Sequence, residues 1–218
     1  MADQIVIQAH PMREQLAAYA AGATSEGMTL LIASHLTYCP ECRRAVAEYE
    51  AVSGALFMGE QKDPLVAAPS LEACMTALDA DGPAVAEPVA VPHTPLPLPI
   101  RHAVGAAIDD LPWKFRMPGL HECTLDGYEG EHVSLMRIRP GVGVFDHTHE
   151  GEEATLVLSG AMEDGGTVYR RGDVALNDHN DDHHPKIVGD EVCYCLIVMT
   201  GHLRFTGPVS RALNLFTR

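Results

Sequence analysis

Positive charge is scarce in this sequence. Its 15 lysine and arginine residues stand against 30 aspartate and glutamate residues, for a formal net charge of −15. Nucleic-acid binding requires clustered cations that neutralise phosphates, so we expect no direct contact with DNA or RNA. An acidic surface suits a partner with a basic surface, such as a DNA-binding protein. Taken alone, the charge is better explained by solubility.

Long apolar runs are lacking as well. No stretch approaches the roughly 18 to 20 apolar residues that a membrane-spanning helix needs, so no membrane contact is expected. Residues 1–15 contain no basic segment followed by an apolar one, so we expect no secretory signal and a cytoplasmic location. In that compartment the six cysteines are expected to be thiols or metal ligands before disulfides.

Proline is concentrated in residues 82–100, and this concentration divides the chain. The six prolines there are Pro83, Pro88, Pro92, Pro95, Pro97 and Pro99. They leave no room for a helix or an interior strand, so we predict a linker at 82–100. It would separate a helical domain at residues 1–81 from a β-domain at residues 101–218, which makes the fold class a two-domain α + β protein.

The segment before the linker has the spacing of short helices. Gly22 is predicted to end the first helix, Ser25 to cap the second and Pro40 to open the third. A shorter fourth helix is expected to start at Ser70. The apolar face of the third helix is predicted to consist of Ala45, Tyr49, Val52 and Leu56. Such short helices need one another, or a metal, to remain folded.

The segment after the linker has the pattern of short β-strands. The runs VSLMRIRPG, EATLVLSG, GTVYRRGDVAL and EVCYCLIVM are separated by glycines and acidic turns. Gly165-Gly166 and Gly172-Asp173 are both predicted to form hairpin turns. Many short strands without intervening helices indicate a sandwich or a barrel.

A first candidate metal site lies in the helical segment. His35, Cys39 and Cys42 are spaced i, i+4 and i+7, so a helix or tight turn would bring them to one face. Zinc prefers four tetrahedral thiolate or imidazole ligands, and His10 is the expected fourth. The alternatives are a redox CxxC pair, which here lacks its βαβ context, and a core histidine. Four protein ligands would make the site closed and structural.

The residues of this first site and their neighbours resemble a known bacterial module. The segment AYAAG followed by SHLTYCPEC resembles the zinc anti-sigma module of bacterial regulators of extracytoplasmic-function sigma factors. The resemblance implies that His35, Cys39 and Cys42 occupy the zinc motif and that His10 is the upstream ligand. It also implies that the module wraps around a sigma factor and blocks its docking onto RNA polymerase.

A second candidate metal site lies in the β-segment. His147 and His149 alternate on a strand and would therefore point to the same face, which in a barrel is the interior. Glu153 would return to the same point from the next strand, and a third histidine should follow later. Three imidazoles and a carboxylate suit zinc, our first choice, but also iron, manganese or nickel.

The second site resembles the first motif of the cupin family, G-x5-H-x-H-x3-E-x6-G. The second cupin motif departs from its usual form, because DHNDDH at residues 178–183 replaces P-x-G-x2-H. We predict His183 as the fourth ligand, with His184 and His179 as neighbouring alternatives. A cupin that keeps its fold without a metal is the other interpretation.

The remaining cysteines give weaker signals. Cys193 and Cys195 alternate on a strand and are expected to be buried apolar residues. The alternative is a thiol pair near the metal that responds to oxidants. Cys74 and Cys123 show no partner pattern and are expected to be ordinary thiols.

Together the two segments resemble the ChrR-type anti-sigma factors, in which a zinc anti-sigma module precedes a cupin. That resemblance implies a non-enzymatic regulator that binds one extracytoplasmic-function sigma factor and releases it when the cupin receives a signal, typically an oxidative one. The competing hypothesis is a cupin enzyme such as a dioxygenase or isomerase. A metal-storage or metal-sensing protein would explain the histidines but not the two-domain design.

Overall fold

The computed structural model describes residues 6–60, 70–79 and 94–207. Five α-helices precede the strands in these ranges. They are α1 (Arg13–Ala20), α2 (Glu26–Tyr38), α3 (Pro40–Glu60), α4 (Leu71–Asp79) and α5 (Leu98–Val104). A 3₁₀ turn at Ile108–Asp110 follows. We refer to α1–α4 as the helical module.

The predicted helix boundaries are confirmed. Gly22 has φ +66° just beyond α1, a conformation that glycine adopts without steric cost. Ser25 caps α2, since its hydroxyl oxygen accepts a hydrogen bond from the Met28 N–H. Pro40 opens α3, and α4 begins directly after Ser70. Each of these residues acts on its own part of the backbone, so its effect can be predicted from the sequence.

The predicted apolar face of α3 packs against the core in its first half only. Ala45 and Tyr49 pack against the core, whereas Val52 and Leu56 are exposed. The prediction was therefore wrong for the distal half. The reason is length, because 21 residues of helix extend about 31 Å while the 13 residues of α2 extend about 20 Å.

The prediction that residues 82–100 exclude a helix was wrong at their end. Helix α5 begins at Leu98, with Pro97 as its N-cap residue and Pro99 in its first turn. Proline is tolerated there because the first N–H groups of a helix have no intrahelical acceptor. Ile100 is fully buried, and α5 packs against α2. Residues 82–93 lie outside the described ranges, so the domain boundaries stay a prediction.

The strands form three antiparallel sheets. They are β1 (Lys114–Met117), β2 (Leu120–Leu125), β3 (Glu131–Ile138), β4 (His147–His149), β5 (Glu153–Ser159), β6 (Ala161–Asp164), β7 (Thr167–Arg170), β8 (Val174–Asn177), β9 (Lys186–Val188), β10 (Cys193–Thr200) and β11 (Leu203–Phe205). The large sheet has the order β1-β2-β3-β10-β5-β8, and the smaller ones β7-β6-β9 and β11-β4. We call β1–β11 the barrel, as the strand pattern predicts.

The large sheet buries both of its faces. Its inner face contributes Val157, Cys193 and Cys195 to a core shared with Met162 and Ile187 of the small sheet. Its outer face packs against the helices in a second core, whose fully buried members include Leu31, Ile32, Leu135, Leu156 and Leu196. Helices α1, α2, α3 and α5 therefore rest on the outside of the barrel.

A glycine permits this close packing of α2. A Cβ atom at Gly27 would lie 2.8 Å from Val133 Cγ2 and 2.7 Å from Glu131 Oε2, both in the large sheet. The Gly27 N–H donates to the same Glu131 carboxylate at 2.9 Å, and the Ser25 hydroxyl donates to it at 2.6 Å. The start of α2 is thus pinned to β3.

The two predicted hairpin turns have different outcomes. Gly165-Gly166 joins the paired strands β6 and β7 with both φ angles positive, so this hairpin is confirmed. Gly172-Asp173 forms a turn but not a hairpin, because β7 pairs with β6 while β8 pairs with β5. The chain crosses there from one sheet to another. Among the described residues, no helix is long and apolar enough to cross a membrane.

Candidate metal centres

The structure brings together the four residues predicted for the first site. The ligand atoms of His10, His35, Cys39 and Cys42 all lie within 4.8 Å of one another. His10 Nδ1 lies 3.4 Å from the sulfur of Cys39 and 3.4 Å from that of Cys42. The other three side chains are buried. We call this group the thiolate cluster.

The local fold explains why these residues converge. His35 lies in the last turn of α2, Cys39 is its C-cap residue, and Cys42 lies in the first turn of α3. The extended backbone of Cys39 (φ −103°, ψ 102°) turns the chain so that both cysteines face the same point. The Cys42 N–H donates to the Cys39 sulfur at 3.3 Å. His10 arrives from the segment before α1.

The thiolate cluster fits zinc. His35 Nδ1 lies 2.7 Å from the Gly172 carbonyl oxygen, so Nδ1–H is the donor and the lone pair is on Nε2. That buried Nε2 has no hydrogen-bond partner in the described part of the chain. Burial lowers the pKa of His35 to about 4, which keeps the imidazole neutral at pH 7. A buried lone pair without a donor is what a metal ligand offers.

The structure also brings together the four residues predicted for the second site. The ligand atoms of His147, His149, Glu153 and His183 lie within 4.8 Å of one another, and all four side chains are buried. His149 Nε2 is 2.9 Å from His183 Nε2 and 3.5 Å from a Glu153 carboxylate oxygen. We call this group the imidazole cluster.

Strand geometry positions the imidazole cluster. His147 and His149 alternate on β4, and Glu153 begins β5. His183 is held opposite His147, since each donates its backbone N–H to the carbonyl of the other, at 3.0 and 3.1 Å. His184 is 52 % exposed at its side chain and lies 3.6 Å from Asp146, and His179 is exposed. Neither alternative joins the cluster.

Outer hydrogen bonds orient the three imidazoles. His147 Nδ1–H donates to the Phe145 carbonyl at 2.7 Å, and His183 Nδ1–H donates to the Asp164 carboxylate at 2.7 Å. His149 Nδ1 meets the Met199 sulfur at 3.3 Å, a weaker acceptor. These contacts leave the Nε2 atoms for the centre, which is the usual arrangement around a bound metal.

Burial and the Asp164 carboxylate determine the protonation states of the imidazole cluster. Burial lowers the pKa values of His147 and His149 to about 4, with a further contribution from neighbouring imidazoles. Burial also opposes charge on His183, but the hydrogen bond and charge of Asp164 raise its pKa overall. Burial raises the pKa of Glu153. Two neutral imidazoles are therefore ready to donate to a cation at pH 7.

Cys193 and Cys195 share the inner face of β10, as their spacing predicts. Both are buried free thiols within the apolar core of the barrel, and their sulfur atoms lie 3.5 Å apart. Hydrogen bonding with Cys193 and burial raise the pKa of the Cys195 thiol. This is the predicted apolar burial, and an oxidant-responsive role stays a prediction.

Two carboxylates that support the clusters were not predicted from the sequence. Asp164 holds His183, and Asp173 accepts the N–H groups of Gln8 and Ala9 beside His10. The available signals were weak. Asp164 precedes the Gly165-Gly166 turn, and Asp173 belongs to the turn after β7.

Comparison with known proteins agrees with both halves of this architecture. Residues 12–43 match a family model described as a putative zinc-finger, and residues 101–204 match the ChrR Cupin-like domain. The chain is 33 % identical over 216 residues to the Anti-sigma-E factor ChrR of Cereibacter sphaeroides, which covers 98 % of this chain and 100 % of that protein.

A solved structure shows the same arrangement. A crystal structure of Rhodobacter sphaeroides SigE in complex with the anti-sigma ChrR matches with a TM-score of 0.77 and 31 % identity. The match covers 89 % of this chain and 100 % of the matched chain. It thus includes both the helical module and the barrel. By sequence over nearly its whole length and by fold, the chain belongs to the ChrR family of anti-sigma factors.

Proposed function

We propose that this chain binds one extracytoplasmic-function sigma factor through its helical module and keeps it from RNA polymerase. The main observation in support is the exposed apolar surface on two helices, α3 and α4. Leu56, Phe57 and Met58 on distal α3 are exposed, as are Leu71 and Met75 on α4. Large apolar side chains left exposed on helices are typical of segments that bind another protein. We call these five residues the apolar helix surface.

Charge supports the nature of the partner. The net charge of −15 favours a partner with basic regions, such as a protein whose own task is to contact DNA. A sigma factor combines apolar helix-packing surfaces with such basic regions. Because a sigma factor works with RNA polymerase, a cytoplasmic location follows from this function.

A substitution on the apolar helix surface tests the proposal. Phe57→Asp in the full chain should weaken binding of a sigma factor from the same genome at least tenfold, since it places a charge where an apolar contact is expected. Phe115→Asp is the matched control, because Phe115 on β1 is 65 % exposed and Phe57 is 67 % exposed. Equal affinities for the two variants in a titration would contradict the proposed surface.

For the helical module we propose a closed zinc site. His10, His35, Cys39 and Cys42 would supply the four tetrahedral ligands, and a bound zinc ion would link the segment before α1 to α2 and α3. With no position left for substrate, its contribution is structural. Metal analysis after denaturation should find about one zinc per chain for this site, and a Cys42→Ser variant should lose it.

For the barrel we propose a second divalent metal held by His147, His149, Glu153 and His183. Zinc is the first choice, with iron, manganese or nickel as alternatives for this donor set. Four protein ligands close a tetrahedral zinc site unless the ion expands its coordination, whereas iron, manganese or nickel would keep further positions through which the metal could bind a small molecule. Metal analysis of the purified protein, with and without His183→Ala, distinguishes these ions.

We propose that the barrel receives the signal that releases the sigma factor, and that this signal is oxidative. The enzymatic alternative is not favoured, because the relative that spans nearly the whole chain is an anti-sigma factor. A metal-storage protein has no need for the apolar helix surface. Exposure of the purified complex to a hydroperoxide should free the sigma factor. A complex that survives while its thiols are oxidised would reject the oxidative signal.

A further inference from the structure

The segment before α1 is held by the barrel rather than by the helices alone. The N–H groups of Gln8 and Ala9 donate to one carboxylate oxygen of Asp173, at 2.7 and 3.1 Å. The Ala9 carbonyl in turn accepts the Val174 N–H at 3.1 Å. Asp173 is buried, and Val174 begins β8. These three bonds fix the backbone immediately before His10.

The same part of the barrel holds a second member of the thiolate cluster. The Gly172 carbonyl accepts His35 Nδ1–H at 2.7 Å and thereby sets the ring orientation. The turn also fits tightly against the helical module. A Cβ atom at Gly172, where φ is +93°, would lie 2.3 Å from Ile7 Cδ1 and 3.0 Å from Tyr38 Cβ.

This turn, residues 170–174, is built rigidly into the barrel, and we call it the clamp turn. The other carboxylate oxygen of Asp173 accepts the Arg170 N–H at 2.8 Å. Gly172 N–H donates to the Val157 carbonyl at 2.8 Å, and Val157 N–H donates to the Asp173 carbonyl at 3.1 Å. The clamp turn is thus anchored on β5, the strand that also carries Glu153.

The clamp turn is also continuous with the support of the imidazole cluster. It directly follows β7, whose partner β6 ends at Asp164, the residue that holds His183. One hairpin of the barrel therefore carries Asp164 near one end and leads into Asp173 at the other. A shift of this hairpin would change the geometry of the outer hydrogen bonds at both clusters.

We propose that the barrel completes the zinc site of the helical module. Asp173 is a positioning residue for His10, and the Gly172 carbonyl positions His35, so zinc affinity at the thiolate cluster depends on docking of the clamp turn. Loss of an outer partner of a metal ligand typically lowers affinity by about 10–100-fold. The inference rests on the proposed ligand set of the thiolate cluster and is independent of sigma binding.

Cobalt substitution in the full chain tests this proposal. Co²⁺ bound to thiolates gives a sulfur-to-metal charge-transfer absorption, so this band reports on the thiolate cluster and not on the imidazole cluster. We would titrate the metal-free protein with Co²⁺ against a competing chelator. Asp173→Asn replaces one accepting oxygen by an amide nitrogen, so it cannot accept from Arg170 and from Gln8 and Ala9 at once, and it should weaken binding at the thiolate cluster by about 10-fold, the lower end of the range for outer partners. Asp190→Asn, an exposed aspartate in another barrel turn, should leave it unchanged.

A glycine pair separates docking from backbone strain. Gly172→Ala and Gly165→Ala both place a side chain at positive φ, but the added Cβ at Gly165 meets no described atom within 4 Å. Gly172→Ala should therefore weaken the charge-transfer band, whereas Gly165→Ala should not. Binding at the imidazole cluster is also measured for each variant, through the Co²⁺ d–d absorption that rises without an accompanying charge-transfer band.

The outcomes are distinct. Selective loss of affinity at the thiolate cluster in Asp173→Asn and Gly172→Ala supports the proposal. Unchanged thiolate affinity in both variants overturns it, and so does an equal loss at both clusters, which would mean general damage to the barrel. Absence of the charge-transfer band in the wild-type protein would instead reject the proposed ligands. Failure of the inference is thus distinguishable from failure of the metal site.

Discussion

The two clusters contain the same number of candidate ligands but differ in what supports them. The thiolate cluster joins three separate segments, namely the stretch before α1, the end of α2 and the start of α3. The imidazole cluster lies on strands and turns of a barrel that has its own apolar core. A metal in the helical module would therefore hold the fold together, whereas a metal in the barrel would occupy a fold that exists without it.

Loss of a thiolate ligand should give the largest difference between the two regions. Cys39→Ser is expected to unfold the helical module, since structural zinc contributes about 10–16 kcal/mol in small zinc modules. Hydrogen exchange measured residue by residue should show lost protection in α1–α3 and retained protection in β3, β5 and β10. Equal protection of the helices in the variant and the wild type would refute the structural role of this cluster.

Loss of an imidazole ligand should leave the helical module folded and affect only the barrel metal and the response to the signal. His147→Ala is expected to remove the barrel metal, to preserve sigma binding and to blunt release by an oxidant. Thr148→Ala is the matched control, because Thr148 lies between the two histidines of β4 and its hydroxyl donates to the His179 carbonyl outside the cluster. The readout is the fraction of sigma factor freed from the purified complex. Undiminished release in His147→Ala would count against a sensory metal.

A smaller effect is expected from the outer support of the barrel site. Asp164→Asn keeps the shape of the side chain but removes the charge that favours His183 Nδ1–H as donor. Metal affinity at the imidazole cluster should fall by about 10–100-fold while the thermal midpoint of the barrel changes little. Competition with a chelator measures the first quantity and calorimetry the second. No change in affinity would mean that Asp164 does not orient the ligand.

The two sites should also differ modestly in their response to pH. Burial and the neighbouring Cys39 thiol raise the pKa of Cys42 to about 12 in the metal-free protein, so metal binding there releases thiol protons. Because protons are products, affinity at the thiolate cluster should keep rising with pH above 8. At the imidazole cluster His147 and His149, with pKa values of about 4, release none in that range, and proton release is confined to His183 and Glu153, whose pKa values are raised. Parallel pH curves for the two sites would contradict this difference.

Local signals made much of this molecule predictable. Ser25, Pro40 and the Gly165-Gly166 pair determine their own surroundings through capping, ring geometry and positive φ, so each could be identified without a tertiary structure. The ligand spacings work in the same way. Alternation on β4 brings His147 and His149 to one face, and the tight turn at Cys39 between α2 and α3 brings Cys39 and Cys42 together with His35.

The missed features depend on contacts between distant segments. The exposure of Leu56 follows from α3 outrunning its neighbours, and the role of Asp173 follows from the docking of residues more than 160 positions earlier. Gly172-Asp173 resembled a hairpin because its local chemistry is that of any turn, whereas the pairing of β7 and β8 is decided elsewhere. The prediction of no helix around Pro99 failed for a related reason, because proline is excluded from the interior of a helix but favoured in its first turn.

The most direct test is co-purification of the full chain with an extracytoplasmic-function sigma factor from the same genome, in parallel with Cys39→Ser and His147→Ala. A one-to-one complex with the wild type and with His147→Ala, lost in Cys39→Ser, is the predicted result. It would place sigma binding in the zinc-dependent helical module and leave the barrel for the signal. If a folded, metal-loaded wild-type protein captures no such sigma factor, or if Cys39→Ser binds as well as the wild type, the account is contradicted.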